Sequence, residues 1–291
     1  MKGILLVNAY YRAEEYLYQA RRMREELAAR GVAVDVVRND GFAMQIRGED
    51  YVNPYTNYDF CIYWDKDKYV LDMLDRKGMR LFNPAEAIRL CDDKMSTYIA
   101  LAGHGIPMPH TLPGLLCFRP EEPLRVETVD AVERALGYPL VAKYCYGSLG
   151  AGVYRVDDRE ALIRRMREMQ CAPHLFQQYV GTESGRDVRV IVVGGEVLGG
   201  MLRRSDGDFC ANIGAGGHGQ PFALDEDWRQ LAVKVARTLR LDYCGIDFLF
   251  GAEGPVVCEV NSNAFFGAFE RTTGVNVAAA YAAHICRVTK G

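Results

Sequence analysis

A chain of 291 residues, 49% hydrophobic and 25% charged, has the composition of an ordinary globular protein long enough for two or three compact units. Its net charge of −3 offers no electrostatic attraction to nucleic acid or to an anionic membrane. The nine cysteines are scattered without a CxxC spacing, which supports neither a zinc site nor a disulfide framework.

In chain order, residues 3–8 read as a buried strand, followed by an amphipathic helix over 14–30 that Gly31 closes. The first apolar run is too short for a signal-peptide core, and no stretch could span a bilayer, so a reducing cytoplasm is the expected compartment. Strands at 32–38 and 58–64, a helix at 66–77 ended by Gly78, a short strand at 80–83 and a helix opened by Pro84 come next. This alternation predicts a small parallel α/β unit over roughly the first 85–90 residues. The absence of GxGxxG after its first strand disfavours a dinucleotide fold.

Asp92 and Asp93 precede a short helix that ends near Gly103 and Gly105, and residues 107–109 and 119–127 read as loops. A helix over 129–136, strands over 139–144 and 153–156, a basic helix over 159–170 and a strand over 175–180 make a second, α+β unit. Gly194 and Gly195 join strands 188–193 and 196–203 as a hairpin. A helix over 227–241, a second hairpin and a helix from about 276 to 287 complete the chain.

That second hairpin runs Gly245-Ile-Asp-Phe-Leu-Phe-Gly-Ala-Glu-Gly-Pro-Val-Val-Cys-Glu-Val-Asn261, with its turn at Gly251 to Gly254. Alternation along a strand puts Glu259 and Asn261 on the same side, and Asp247 stands a similar distance from the turn on the partner strand. Two carboxylates and an amide oxygen on an apolar sheet repel one another and are costly to desolvate. Oxygen-only ligands of this kind suit Mg²⁺. A solvent-facing polar face is the competing reading.

Lys143 sits in an apolar strand just before Gly147, Ser148, Gly150 and Gly152. Glycines let backbone N–H groups approach an anion, and the lysine would add a point charge for phosphate. GxxxxGK[ST] is absent, so this is not a P-loop; an ordinary turn beside a snorkelling lysine would read the same way. Lys94 follows two acids at a helix start, where a cation gains nothing from the macrodipole, and reads as either a solvated surface lysine or a phosphate contact. Asp187 and Arg189 share one strand face opposite Val188 and Val190, and Arg203 ends the following strand. A mixed-sign edge without function would have the same pattern. His218 and His284 read as structural or solvated.

Taken together, Lys94, Lys143 with its small-residue loop, His174-Leu-Phe-Gln-Gln-Tyr-Val180, Arg186-Asp-Val-Arg189, Arg203, Asn212 and Asp247 with Glu259-Val-Asn261 follow an order that resembles the ATP-grasp fold. The tail from Glu259 to Thr272-Thr-Gly-Val-Asn-Val277 is similar to RimK-type ligases, which add glutamate or related amino acids through amide bonds. The resemblance covers roughly residue 85 to the C-terminus. It implies an α/β and α+β architecture with a parallel α/β pre-ATP-grasp domain over 1–88. A central ATP-grasp subdomain with a glycine-rich flap would span 89–180, and a C-terminal subdomain with the metal site 181–291.

The resemblance further implies that Lys94 and Lys143 contact ATP phosphates under a flap containing Gly147, Ser148, Gly150 and Gly152. Gln178, Tyr179 and Val180 match the adenine hinge, with Gln178 where relatives often carry Glu. Asp187 fits the nucleotide-contacting acid and Glu183 a ribose contact. Arg203 and Asn212 would touch the reacting phosphate. Asp247, Glu259 and Asn261 would hold two Mg²⁺ ions, with Glu259 bridging and Mn²⁺ able to substitute. Relatives usually have an arginine where this chain has Ala215.

The implied chemistry is ATP-dependent activation of a carboxylate as an acyl phosphate, followed by attack of an amine to form an amide. The implied partners are a small-molecule or peptide carboxylate and an amine or amino acid, with no nucleic acid or membrane and a homo-oligomer left open. A D-alanine ligase relative, a small-molecule kinase and a nucleotide-binding regulatory module without turnover are the competing readings.

Overall fold

The computed structural model describes residues 1–10, 12–148, 150–183, 185–205 and 218–290. Five consecutive buried residues make β1 (Lys2–Val7) a strand covered on both faces, as parallel sheets require. α1 (Glu14–Ala28) leads to β2 (Ala33–Arg38), and an exposed hairpin of β3 (Gln45–Arg47) and β4 (Asp50–Val52) follows. β5 (Phe60–Trp64), α2 (Lys68–Arg76) and β6 (Leu81–Phe82) complete a parallel sheet in the order β2-β1-β5-β6. The β3–β4 hairpin was not expected, because its short strands carry no buried face to impose an alternation.

α3 (Ala85–Asp92) and α4 (Lys94–Leu101) are separated by Asp93, whose extended backbone breaks the helix. The Asp93 carboxylate accepts from the Met95 and Ser96 amides at 2.9 and 3.1 Å, capping α4 and fixing Lys94 in its first turn. β7 (Thr111–Pro113), α5 (Val126–Leu136), β8 (Leu140–Tyr144), β9 (Val153–Val156), α6 (Arg159–Met169) and β10 (His174–Gln178) form the next layer pair. The strands pair antiparallel in the order β7-β10-β8-β9, with α5 and α6 packed over Leu140, Ala142, Val156 and Phe176.

β11 (Arg186–Val193), β12 (Glu196–Arg204), β13 (His218–Phe222), α7 (Glu226–Thr238), β14 (Tyr243–Gly251) and β15 (Gly254–Asn261) follow, then α8 (Gly267–Thr273) and α9 (Val277–Lys290). The antiparallel order is β13-β12-β11-β14-β15. Alternation along β11 divides its side chains between two cores. Val188, Val190 and Val192 meet α7, while Ile191 and Val193 join a cluster shared with Leu5, Met23 and Phe60 of the first sheet layer.

One buried asparagine locks the first sheet to the last hairpin. Asn83 donates Nδ2 to the carbonyls of Tyr243 and Ser262 at 2.8 Å each, and its Oδ1 accepts from the Tyr243 amide at 2.8 Å. Fully partnered, it orients the end of β6 against β14 and β15 without leaving a polar atom stranded.

Boundaries differ from expectation in two places, the first of which lines the site. The strand expected over 175–180 ends at Gln178, which leaves Tyr179 and Val180 outside the ladder. His218, read from the sequence only as structural or solvated, opens β13. No helix among the described residues is long and apolar enough to cross a membrane.

Candidate active site

A cleft of about 740 Å³ lies where the β8–β9 sheet, the β14–β15 hairpin and the carboxyl ends of β1 and β5 meet. Its walls include Lys94, Lys143, Gly147, Ser148, Gly150, Gln178, Tyr179, Val180, Glu183, Asp187, Arg203, Asp247, Glu259 and Asn261, residues singled out from the sequence for one site. Gly152 closes the same turn at φ +76°, where a Cβ would fall 2.7 Å from the Tyr144 ring, so the turn needs glycine there. Asn212 and Ala215 lie outside the described residues.

Asp247 and Glu259 face each other across the β14–β15 ladder, and Asn261 stands two residues along β15, opposite Gly245. Gly245 has a spatial reason: a Cβ there would lie 2.5 Å from that of Ala264. Side chains at 247, 259 and 261 therefore share a face, as period two predicted. Asp247 is not a bare carboxylate. Arg189 donates from Nε and Nη2 to its two oxygens at 2.7 Å each, and Arg203 Nη2 approaches Oδ2 at 2.9 Å. Arg203 simultaneously grips Asp187 through Nε and Nη2, both at 2.6 Å.

These four side chains alternate in sign across three neighbouring strands. Burial pushes the Asp187 carboxyl up to about 6 against the pull of Arg203, with the nearby Asp247 charge adding to the rise. At Asp247 burial acts the same way, but two guanidinium groups together outweigh it and hold the carboxyl below its ordinary range. Burying charges is tolerable here because each is paired with good geometry.

Lys94 reaches the pair from α4. Its Nζ donates to the Gly147 carbonyl at 3.1 Å and stands 3.4 Å from Glu259 Oε1, joining the glycine turn to the hairpin. Lys143, 6% exposed, donates to Gln177 Oε1 at 2.7 Å and lies 3.9 Å from Cys258 Sγ. Burial raises the Cys258 thiol, so it faces the lysine as a neutral group. Gln177 is in turn fixed by donating Nε2 to Thr111 Oγ1 at 2.8 Å. The end of β10 is tied down by the Gln178 backbone N–H, which donates to the His110 carbonyl at 2.8 Å. Beyond it, Arg155 lies 4.8 Å from the centre of the Tyr179 ring. Glu183 pairs with Arg186.

The donor set fits a hard divalent cation in its chemistry. Glu259 is exposed to the cleft at 31% of its side chain, and only oxygen donors are on offer from Asp247, Glu259 and Asn261. A carboxylate has about four lone-pair positions, of which the arginines occupy three at Asp247. Asn261 Nδ2 is buried without a hydrogen-bond partner among the described residues, and the Oδ1 of the same amide is the atom that could ligate a cation. Among those residues no three His, Cys, Asp or Glu side chains gather closely enough to hold a metal unaided, so the amide and the ligand must complete any coordination.

Sequence patterns missed Gln177, the partner of Lys143; a glutamine inside the apolar strand His174–Gln178 was the available signal. Arg189 was seen in its motif without a role, because nothing local says that it faces Asp247.

Residues 91–285 match the model of the RimK-like ATP-grasp domain. The chain is 42% identical over 217 residues to beta-citrylglutamate synthase B of Danio rerio, covering 74% of this chain and 52% of that protein, so it spans about half the length of that curated relative. It is 32% identical over 292 residues to a probable alpha-L-glutamate ligase of Stenotrophomonas maltophilia, covering 94% of this chain and 96% of that one. The structure of the ATP-grasp ligase PsnB with a minimal precursor, Mg and ADP shares the fold, with a TM-score of 0.70, 19% identity and coverage of 99% and 98%.

Proposed function

This chain belongs to the RimK-like ATP-grasp family, and from that premise we propose that it is an ATP-dependent carboxylate–amine ligase joining an amino acid to a small molecule or peptide. The observation that carries the reading is the convergence of Lys94 on both Gly147 and Glu259. It ties a phosphate-type glycine turn to an oxygen-rich hairpin inside one cleft. MgATP, when bound, supplies the phosphoryl group that activates a carboxylate as an acyl phosphate.

The chain's own residues then have distinct tasks. Gln178, Tyr179 and Val180 would hold adenine, and the Gln178 side-chain oxygen could accept from its exocyclic amine. Asp187 would serve as the nucleotide-contacting acid and Glu183 as a ribose contact, both lining the cleft. Lys94 and Lys143 neutralise phosphate charge, while Gly147, Ser148, Gly150 and Gly152 cover it and exclude water that would hydrolyse the activated acid. Asp247, Glu259 and Asn261 would hold Mg²⁺, as two ions with Mn²⁺ able to substitute, and the metal would neutralise phosphate charge. Arg203, with Asn212, steadies the transferred phosphoryl group.

Names of relatives support glutamate as the amine substrate, but Ala215 stands where the family resemblance implies an arginine, which argues for weakened catalysis or a different substrate. The test is phosphate release with MgATP across a panel of amino acids and carboxylic acids, with mass spectrometry of the products. An amide product with ADP sustains the proposal. ADP with a stable phosphorylated product would make the chain a kinase, and nucleotide binding without turnover would make it a regulatory module.

A further inference from the structure

One wall of the cleft is built by the first sheet and the segment after it. In the order β2-β1-β5-β6, the chain leaves β1 toward β2 on one side and then resumes at β5 on the other. The strand order therefore reverses between β1 and β5, and ligands of open parallel sheets bind in the crevice that such a reversal leaves at the carboxyl ends. Asn8 follows β1 there and Asp65 follows β5; both line the cleft, and Asn8 Nδ2 donates to Asp65 Oδ1 at 2.8 Å.

Asp65 is a buried carboxylate, 7% exposed, and its donors among the described residues are uncharged. Besides Asn8 these are Asn39 Nδ2 at 2.9 Å and the Lys66 amide at 2.7 Å. No cationic side chain among the described residues lies within ion-pairing distance, and the Lys66 ammonium is 2.7 Å from Asp92 instead. A buried charge is ordinarily paired. Beside it the lining is aromatic, with Tyr16, Trp64 and Phe265; the Tyr16 and Phe265 rings meet edge to face at 6.0 Å. A lone carboxylate beside aromatic rings is the chemistry that receives an ammonium group.

We infer that Asp65 recognises the amino group of a substrate, so that this wall selects a primary amine of the amino-acid class. The inference rests on the ligase reading for its context and names a residue of the acceptor side. Asp65 accepts from the ammonium with the lone pair on Oδ2 that Asn8, Asn39 and the Lys66 amide leave, and those amides hold the carboxylate in place.

The test uses the full chain with Mg²⁺ and a nonhydrolysable ATP analogue, titrating the twenty common amino acids and their des-amino counterparts. At least one amino acid binds about tenfold or more tightly than its des-amino partner, the scale of a charge-assisted hydrogen bond. Asp65→Asn reduces that ratio to about twofold or less. Asn39→Ala, which removes a neutral donor and keeps the charge, preserves the preference, whereas a purely structural Asp65 would make both variants behave alike. No amino-over-des-amino preference in the unaltered chain overturns the inference, as does a preference that survives Asp65→Asn. Failure of the nucleotide analogue to bind at all would count against the ligase reading instead, since amino-acid preference is scored separately.

Discussion

Arg189 grips Asp247 across the β11–β14 ladder, its Nε and Nη2 each donating to a different carboxylate oxygen at 2.7 Å. With Arg203 on the other flank, a group suited to a divalent cation is held in place by organic cations. The protein thereby keeps an acid ionised in its interior, ready for a ligand, without leaving it uncompensated.

Removing one arginine should expose that cost. Arg203→Ala leaves Asp187 without its bidentate partner and Asp247 with one guanidinium, and is expected to lose about 3–5 kcal/mol of stability. The double substitution Asp187→Asn with Arg203→Met should lose distinctly less, because a charge leaves with its partner. Urea denaturation of the three proteins checks the ordering; equal losses would refute the charge argument.

Glu259→Ala should abolish phosphate release while leaving the fold largely intact, since the side chain is partly open to the cleft and its described ion-pair contact is with Lys94. Circular dichroism and the Mg²⁺ dependence of nucleotide binding separate the two effects. Undiminished turnover would refute the metal assignment.

Lys143→Met should weaken ATP binding roughly 10- to 100-fold, the range set by losing a hydrogen bond to a charged group. Gln177→Leu leaves the lysine in place but without the 2.7 Å acceptor that aims it. A smaller loss of nucleotide affinity is expected for that variant, read by calorimetric titration. Were Gln177→Leu the more damaging of the two, the glutamine itself would be the ligand.

The α1–α9 contact gives a pH signature distant from the cleft. Hydrogen bonds from Asn276 and then Arg30 and Arg22 hold the Glu26 carboxyl down at about 2, against the opposing effect of burial. A carboxyl depressed in the folded state stabilises above its unfolded pKa, and that contribution is lost as pH falls through the folded value. Glu26→Gln should therefore cost about 1 kcal/mol near neutrality, with the deficit closing between about pH 4.5 and 2. Stability measured stepwise over that window provides the check; a deficit constant with pH would show that packing, not charge, is responsible.

Much of the site was legible locally. Glu259 and Asn261 announced a shared face by spacing alone, because side chains two apart on a strand must point the same way. Lys143 beside Gly147, Gly150 and Gly152 was legible as a lysine-bearing strand entering a glycine turn, a pattern that an ordinary turn beside a snorkelling lysine shares. Lys94 was only half legible. Its position after Asp92 and Asp93 suggested a solvated surface, and its approach to Glu259 depends on how α4 packs against β15.

By itself, then, the sequence determined which strands and turns carry charged groups, and on which face of each, because those are consequences of covalent geometry within a few residues. The tertiary structure alone decided that Arg189 meets Asp247, that Gln177 aims Lys143, and that Asn8 joins Asp65 at the reversal of strand order. Partners 34 to 58 residues apart are brought together by register and topology, which reflect the packing of whole layers, and no local periodicity encodes them.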